Sequence, residues 1–171
     1  MKIFGQKSLS YYLFYASRLA AFGSILLIAY ILISLATGNF EIVDSQFQIA
    51  FPPYSKNYIK GFYQPNIIAA ISIIMVFFAV FFHMLSNILK TFKAEKLFTS
   101  KAIRQLNYFA IVNLVIWPVL YLTIHFVIMK KSNYHDIHNL ILGLLLGVFV
   151  LFTAAVFKRG HQVQNENDLT I

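Results

Sequence analysis

Four polar side chains stand inside otherwise apolar stretches, and they are the first candidates for chemistry. His83 and Asn87 are spaced i,i+4 and share one helical face, while Asn113 and His125 lie in a later apolar run. An ionisable or amide group in hydrocarbon is costly, so each needs a partner or a task. If the runs that hold them are antiparallel neighbours, His83 and Asn113 lie at similar heights and can share a hydrogen bond. Interhelical glue of that kind, worth about 0.5–2 kcal/mol, is preferred here over a proton or ligand site. His125 could also join His135, Asp136 and His138 in a nitrogen and carboxylate set of the sort that suits zinc or copper. That set has no second ligand pair at recognisable spacing. Interfacial histidines are the simpler account, and no metal or cofactor is assigned.

The acids point the same way. Glu41, Asp44, Glu95, Asp136, Glu166 and Asp168 all lie outside the apolar runs. A transporter driven by ions usually keeps a carboxylate near the middle of the membrane. An intramembrane enzyme needs paired acids, a metal set or a nucleophile beside a base. Neither pattern is present, so a non-enzymatic protein is expected. The absence of cysteine removes disulfides and thiolate metal sites.

The elements that must carry these residues follow from composition. Of the 171 residues, 59% are hydrophobic and only 12% are charged, about half the charged share of a soluble domain. Stretches without Asp, Glu, Lys or Arg run over 19–40, 61–89, 105–129 and 137–157. About 20 apolar residues cross the hydrocarbon as a helix, and a helix is what satisfies the backbone there. The first run is too long for a signal-peptide core and should stay as a span. Helices are expected near 11–36, 65–91, 100–130 and 137–159. Thr99 is a suitable N-cap for the third, with Phe98 able to pack on Ile103 as a hydrophobic staple. Trp117-Pro118 should kink that helix.

Orientation comes from the cations. Lys2, Lys7, Arg18, Lys90, Lys93, Lys96, Lys101, Arg104, Lys158 and Arg159 fall on one side of such a topology, against Lys56, Lys60, Lys130 and Lys131 on the other. The positive-inside rule places the larger group in the cytoplasm, with both termini. Tyr11, Tyr12 and Tyr15 would form an inner aromatic belt, and Tyr54, Tyr58 and Tyr63 an outer one. The net charge of +8 is therefore read as topology signal and lipid anchor, and direct nucleic-acid binding is not expected. The fold class is an all-α integral membrane protein, a four-transmembrane-helix antiparallel bundle in the cytoplasmic (inner) membrane, with the bilayer as its first partner.

Three further features complete the reading. In the outer loop, 37–64, Gln46 to Phe51 alternates polar and apolar and could pair with Phe40 to Val43 across Asp44-Ser45 as a hairpin; an irregular loop hugging the interface is the alternative. Gly143 and Gly147 form a GxxxG pair that allows close helix packing, either within the bundle or in a homo-oligomer. Gly160 can end the last helix after Lys158-Arg159, leaving the tail 160–171 either frayed or as a short recognition motif.

That tail carries a resemblance. Val156-Phe157, two basic residues, Gly160, Gln162-Val163-Gln164, Glu166 and Asp168-Leu169-Thr170-Ile171 resemble the C-terminal signature of the domain of unknown function 2975 family. Leu97-Phe98-Thr99 leading through Ile103-Arg104-Gln105-Leu106 does so too. Members are small bacterial membrane proteins whose genes often lie beside one for a small helix-turn-helix DNA-binding protein. The resemblance thus implies a membrane anchor or sensor that holds such a regulator, with Arg104, Gly160, Gln164, Glu166, Asp168 and Thr170 as candidate contacts. A small-molecule or lipid carrier, and an accessory subunit of a membrane complex, are the rival expectations.

Overall fold

The computed structural model describes residues 3–5, 7–51, 54–94, 96–133 and 137–168. Helix α1 (Leu9–Thr37) leads through strands β1 (Glu41–Val43), β2 (Gln46–Phe51) and β3 (Tyr54–Phe62) into α2 (Pro65–Phe92). A third helical rod follows as α3 (Ser100–Ile111), a π-helical segment Val112–Ile116, α4 (Trp117–Leu122) and a second π-helical segment Thr123–Ile128; α5 (Ile137–Asp168) closes the chain. Among the described residues, four helices are long and apolar enough to cross a membrane: Leu9–Thr37, Pro65–Phe92, Ser100–Ile128 and Ile137–Asn167. Large apolar side chains such as Leu19, Val127, Phe149 and Phe152 point outward along them. Water would not tolerate so much continuous apolar surface, and lipid does. The protein is a multi-pass membrane protein, mostly helical, with a small three-stranded sheet.

The sheet grows from alternation. Asp44 and Ser45 take positive φ values of 51° and 63°, the backbone of a tight two-residue hairpin turn. Glu41 then pairs with Gln48, Ile42 with Phe47 and Val43 with Gln46. Phe47 and Ile49 turn inward and are buried with Ile31 of α1. Tyr30 donates its hydroxyl to the Ala50 carbonyl at 2.6 Å, tying the sheet to the same helix. The hairpin is therefore present, and a third strand lies beyond it. β3 pairs antiparallel with β2, and Tyr54 and Tyr58 are strand residues within it. Tyr63 packs on Phe40, ring centres 5.2 Å apart.

Neighbouring helices run antiparallel in chain order. α1 packs along α2, α2 along the third rod, and the third rod along α5. A core of Ile88, Leu106, Phe109, Val150, Ala154 and Phe157 joins the last three at the end where α2 finishes. That end carries Lys90, Lys93, Lys101, Arg104, Lys158 and Arg159 and is the basic end; the other is the sheet end. Lys93 is held there by α1, its Nζ lying 4.0 Å from the centre of the Phe14 ring, with Tyr15 and Tyr11 at 5.2 and 5.4 Å.

One boundary differs from expectation, and one rod changes helix type. The last helix does not stop near 159 but continues to Asp168, for a reason that belongs to the site below. Pro118 is met by a change of helix type: the Trp117 N–H reaches back five residues to the Val112 carbonyl. A wider turn relieves the clash of a proline ring with the carbonyl four residues back.

Candidate functional site

Two places gather polar or basic side chains on a rigid frame. The first is the basic end. Thr99 caps α3, its Oγ1 accepting from the Ala102 N–H at 3.2 Å. Just before it, Phe98 reaches across to α5 and packs edge-on against Phe157 at 5.1 Å, while Phe157 stacks on Phe92 of α2 at 5.3 Å. The connection between α2 and α3 is thereby pinned on three helices.

Gly160 is the other half of this clamp. A Cβ there would meet three atoms of the Phe98 ring at 2.7, 2.8 and 2.9 Å. One residue on, the His161 Nδ1–H donates to the Phe98 carbonyl at 2.9 Å. The expectation that Gly160 ends the helix is thus corrected: its missing side chain admits an aromatic ring, and packing overrides the weak local preference of glycine for a helix end. Residues 160–168 extend α5 instead of fraying. Beside the clamp, Ser100, Arg104, Asn107 and Tyr108 on α3 face Lys158, His161 and Gln162 on α5 across a groove of about 440 Å³.

The sequence-derived contact residues distribute over this end as follows. Arg104 lines the groove. Gly160 lies under Phe98, occupied by packing. Gln164 is half-buried and Glu166 exposed on the last turns. Asp168 closes the helix, and Thr170 falls outside the described residues.

The second place is a crevice of about 620 Å³ between α2, the third rod and α5. Phe77, Phe78 and Phe81 of α2 form one wall, and Gly143 and Leu146 of α5 another. The third rod contributes Asn113, Trp117, Tyr121 and His125. In an ideal α-helix a residue every fourth position drifts about 40° per step. The two π-helical segments carry more residues per turn and take up that drift, so that one stripe of side chains faces the cavity. Trp117 donates from Nε1 to the Asn139 carbonyl at 3.2 Å and lies 4.9 Å from Phe77. His125 is buried; its ring stacks on Tyr121 at 5.5 Å, and its Nε2 lies 2.5 Å from the Asn133 carbonyl, to which it must donate.

Gly143 and Gly147 face this same rod. A Cβ at Gly143 would meet the Trp117 indole at 2.2 Å, and one at Gly147 the Leu114 side chain at 2.6 Å. The GxxxG pair therefore packs within the chain.

His83 and Asn113 are not brought together. Asn113 is 2% exposed, and its Nδ2 donates to the Phe109 carbonyl at 2.8 Å within its own helix. His83 lies on the other side of α2, exposed, in a groove of about 560 Å³ shared with Arg18 and Phe22 of α1. The reason is rotational: α2 turns its Phe77–Phe81 face to the third rod, and position 83 lies about 160° round from position 81 when two residues advance about 200°. Among the described residues no three His, Asp or Glu side chains gather as metal ligands; His135 and Asp136 fall outside them. Sequence reasoning passed over Trp117 and Tyr121 as site residues. Their signal was the four-residue spacing from Asn113 through to His125.

Comparison with known proteins places the chain by family alone. No match is found among curated proteins or among solved structures. A family model described as protein of unknown function (DUF2975) matches residues 19–171. Both stretches that carried the resemblance, the start of α3 and the end of α5, lie inside that match, and the chain belongs to the DUF2975 family.

Proposed function

We propose that this protein is a non-enzymatic membrane anchor or sensor whose basic end holds a small cytoplasmic helix-turn-helix transcription factor at the bacterial inner membrane. The observation that carries the reading is the extension of α5. Nine residues beyond Arg159 remain helical, which amounts to about 13 Å of rod past the basic pair. Phe98, Gly160 and His161 clamp the base of that rod. A frayed tail would lose entropy on binding, whereas a pre-formed helix loses less. Arg104 and Lys158 beside it supply a cationic margin, with His161 and Gln162 completing the groove; Gln164 and Glu166 would supply polar contacts along the rod, which Asp168 ends. In this reading both termini are cytoplasmic, in accord with the ten cations on that side. Thr170 would extend the contact.

Two experiments test it. The chain has no cysteine, so Ser100→Cys and Ser45→Cys report sidedness directly. Ser45→Cys should react with an impermeant maleimide in intact cells, and Ser100→Cys only after permeabilisation; the reverse pattern overturns the orientation. For the partner, full-length protein and a truncation after Gln162, which keeps the clamp, are purified in detergent with the neighbouring regulator. The truncation should lose it. Equal recovery with both sinks the role of the rod.

A further inference from the structure

The crevice does not depend on the basic end, and its chemistry points to a ligand of its own. A cavity of about 620 Å³ is of the size that holds small molecules, and such sites pair an apolar lining with a few placed polar groups. Here the apolar part of the lining includes Phe77, Phe78, Phe81, Trp117 and Leu146, with Asn113 set among them. Asn113 is 2% exposed. Its amide nitrogen is used by the Phe109 carbonyl, and among the described residues its Oδ1 accepts no hydrogen bond, although it is not sealed off in the protein interior. An amide oxygen kept dry without a donor costs free energy, and a group that supplies the donor recovers it. Between α2 and α5 the cavity is bordered by Ile71, Phe78 and Leu142, which are exposed on the apolar surface of those helices. Access is therefore from the hydrocarbon.

We propose that this crevice is a binding site for an uncharged amphiphile dissolved in the bilayer, with an apolar body and one hydroxyl or N–H group that donates to Asn113 Oδ1. The apolar body lies along the Phe77, Phe81 and Trp117 rings, and the donor meets the amide. Lys131 also lines the cavity, but it follows the end of the third rod, more than three helical turns beyond Asn113, so the group that meets the amide is uncharged.

The chain has a single tryptophan, and it lines the cavity, so its fluorescence reads occupancy. Purified full-length protein in nanodiscs is titrated with ω-bromoundecanol and with its methyl ether, which differ only in the donor, by mole fraction in the bilayer. Bromine quenches Trp117 on contact. Saturable quenching is expected, with the alcohol tighter by about three- to tenfold, the worth of one neutral hydrogen bond. Asn113→Leu should erase that preference, Asn113→Ser should keep part of it, and enlarging Ile74 of the cavity wall as Ile74→Phe should weaken both probes. The emission spectrum without probe shows whether each variant keeps the Trp117 environment. Quenching that rises linearly and equally for both probes overturns the proposal, as does a preference that persists in Asn113→Leu.

Discussion

Replacing Gly160 by alanine sets two effects of opposite sign against each other. In an open helix interior, glycine to alanine stabilises by about 0.5–1 kcal/mol through lost backbone entropy. At Gly160 the new methyl group meets three Phe98 ring atoms inside 3 Å, and overpacking of that kind costs about 1–3 kcal/mol. The ring has little room to withdraw, because Phe157 packs on it and Phe92 stacks behind Phe157. The clash should win, leaving Gly160→Ala destabilised by up to about 2 kcal/mol relative to wild type. In a Phe98→Ala background the clash is gone, and the same substitution should stabilise by about 0.5–1 kcal/mol. The assay is amide hydrogen exchange of Gln164 to Glu166 in nanodiscs, where about 1.4 kcal/mol of local opening energy is a tenfold change in rate. Gly160→Ala should speed exchange in the wild-type background and slow it when Phe98 is absent. The same sign in both backgrounds would refute the clamp, since the inversion is the coupling between the two residues.

Three further substitutions probe the frame. Gly143→Ala should push the Trp117 indole off its site and cost about 1–3 kcal/mol, seen as a shifted tryptophan emission maximum and a lower Tm. Thr99→Ala removes the α3 cap, worth about 1 kcal/mol; Thr99→Ser should restore most of the Tm, because the hydroxyl that accepts from Ala102 returns. Lys93→Ala removes the cation from the Phe14, Tyr15 and Tyr11 rings for about 0.5–1 kcal/mol, and Lys93→Arg should keep most of that stability in thermal unfolding of the purified protein.

Much of the frame was legible because it rests on composition and period. Lipid demands long apolar helices, and four runs without charge announce them. The β1–β2 hairpin was visible in the alternation around Asp44-Ser45, and Phe47 and Ile49 show why: one face has to be buried on α1. β3 was missed because Pro52-Pro53 breaks the pattern and tyrosines have a second habitual place at membrane interfaces. The end of α5 was misjudged at Gly160, where local propensity signals a stop and Phe98, more than sixty residues away in the chain, overrides it. The crevice was the least legible part. Asn113, Trp117, Tyr121 and His125 repeat every fourth residue, yet only the π-helical segments bring that stripe onto one wall, and helix type within a rod is not written in hydropathy.

The order of contacts also bears on how such a chain enters a membrane. α1 packs closely on α2, and α3 on α5, while the seam between the two pairs is narrower. Each pair is a helical hairpin that buries its own interface: α1 and α2 close around the sheet, and the third rod and α5 around Gly143, Gly147 and Gly160. Insertion can therefore proceed as two successive units during synthesis, the first folded before the second emerges. Docking of the second on the first then forms the Phe77–Trp117 and Phe92–Phe157 contacts last.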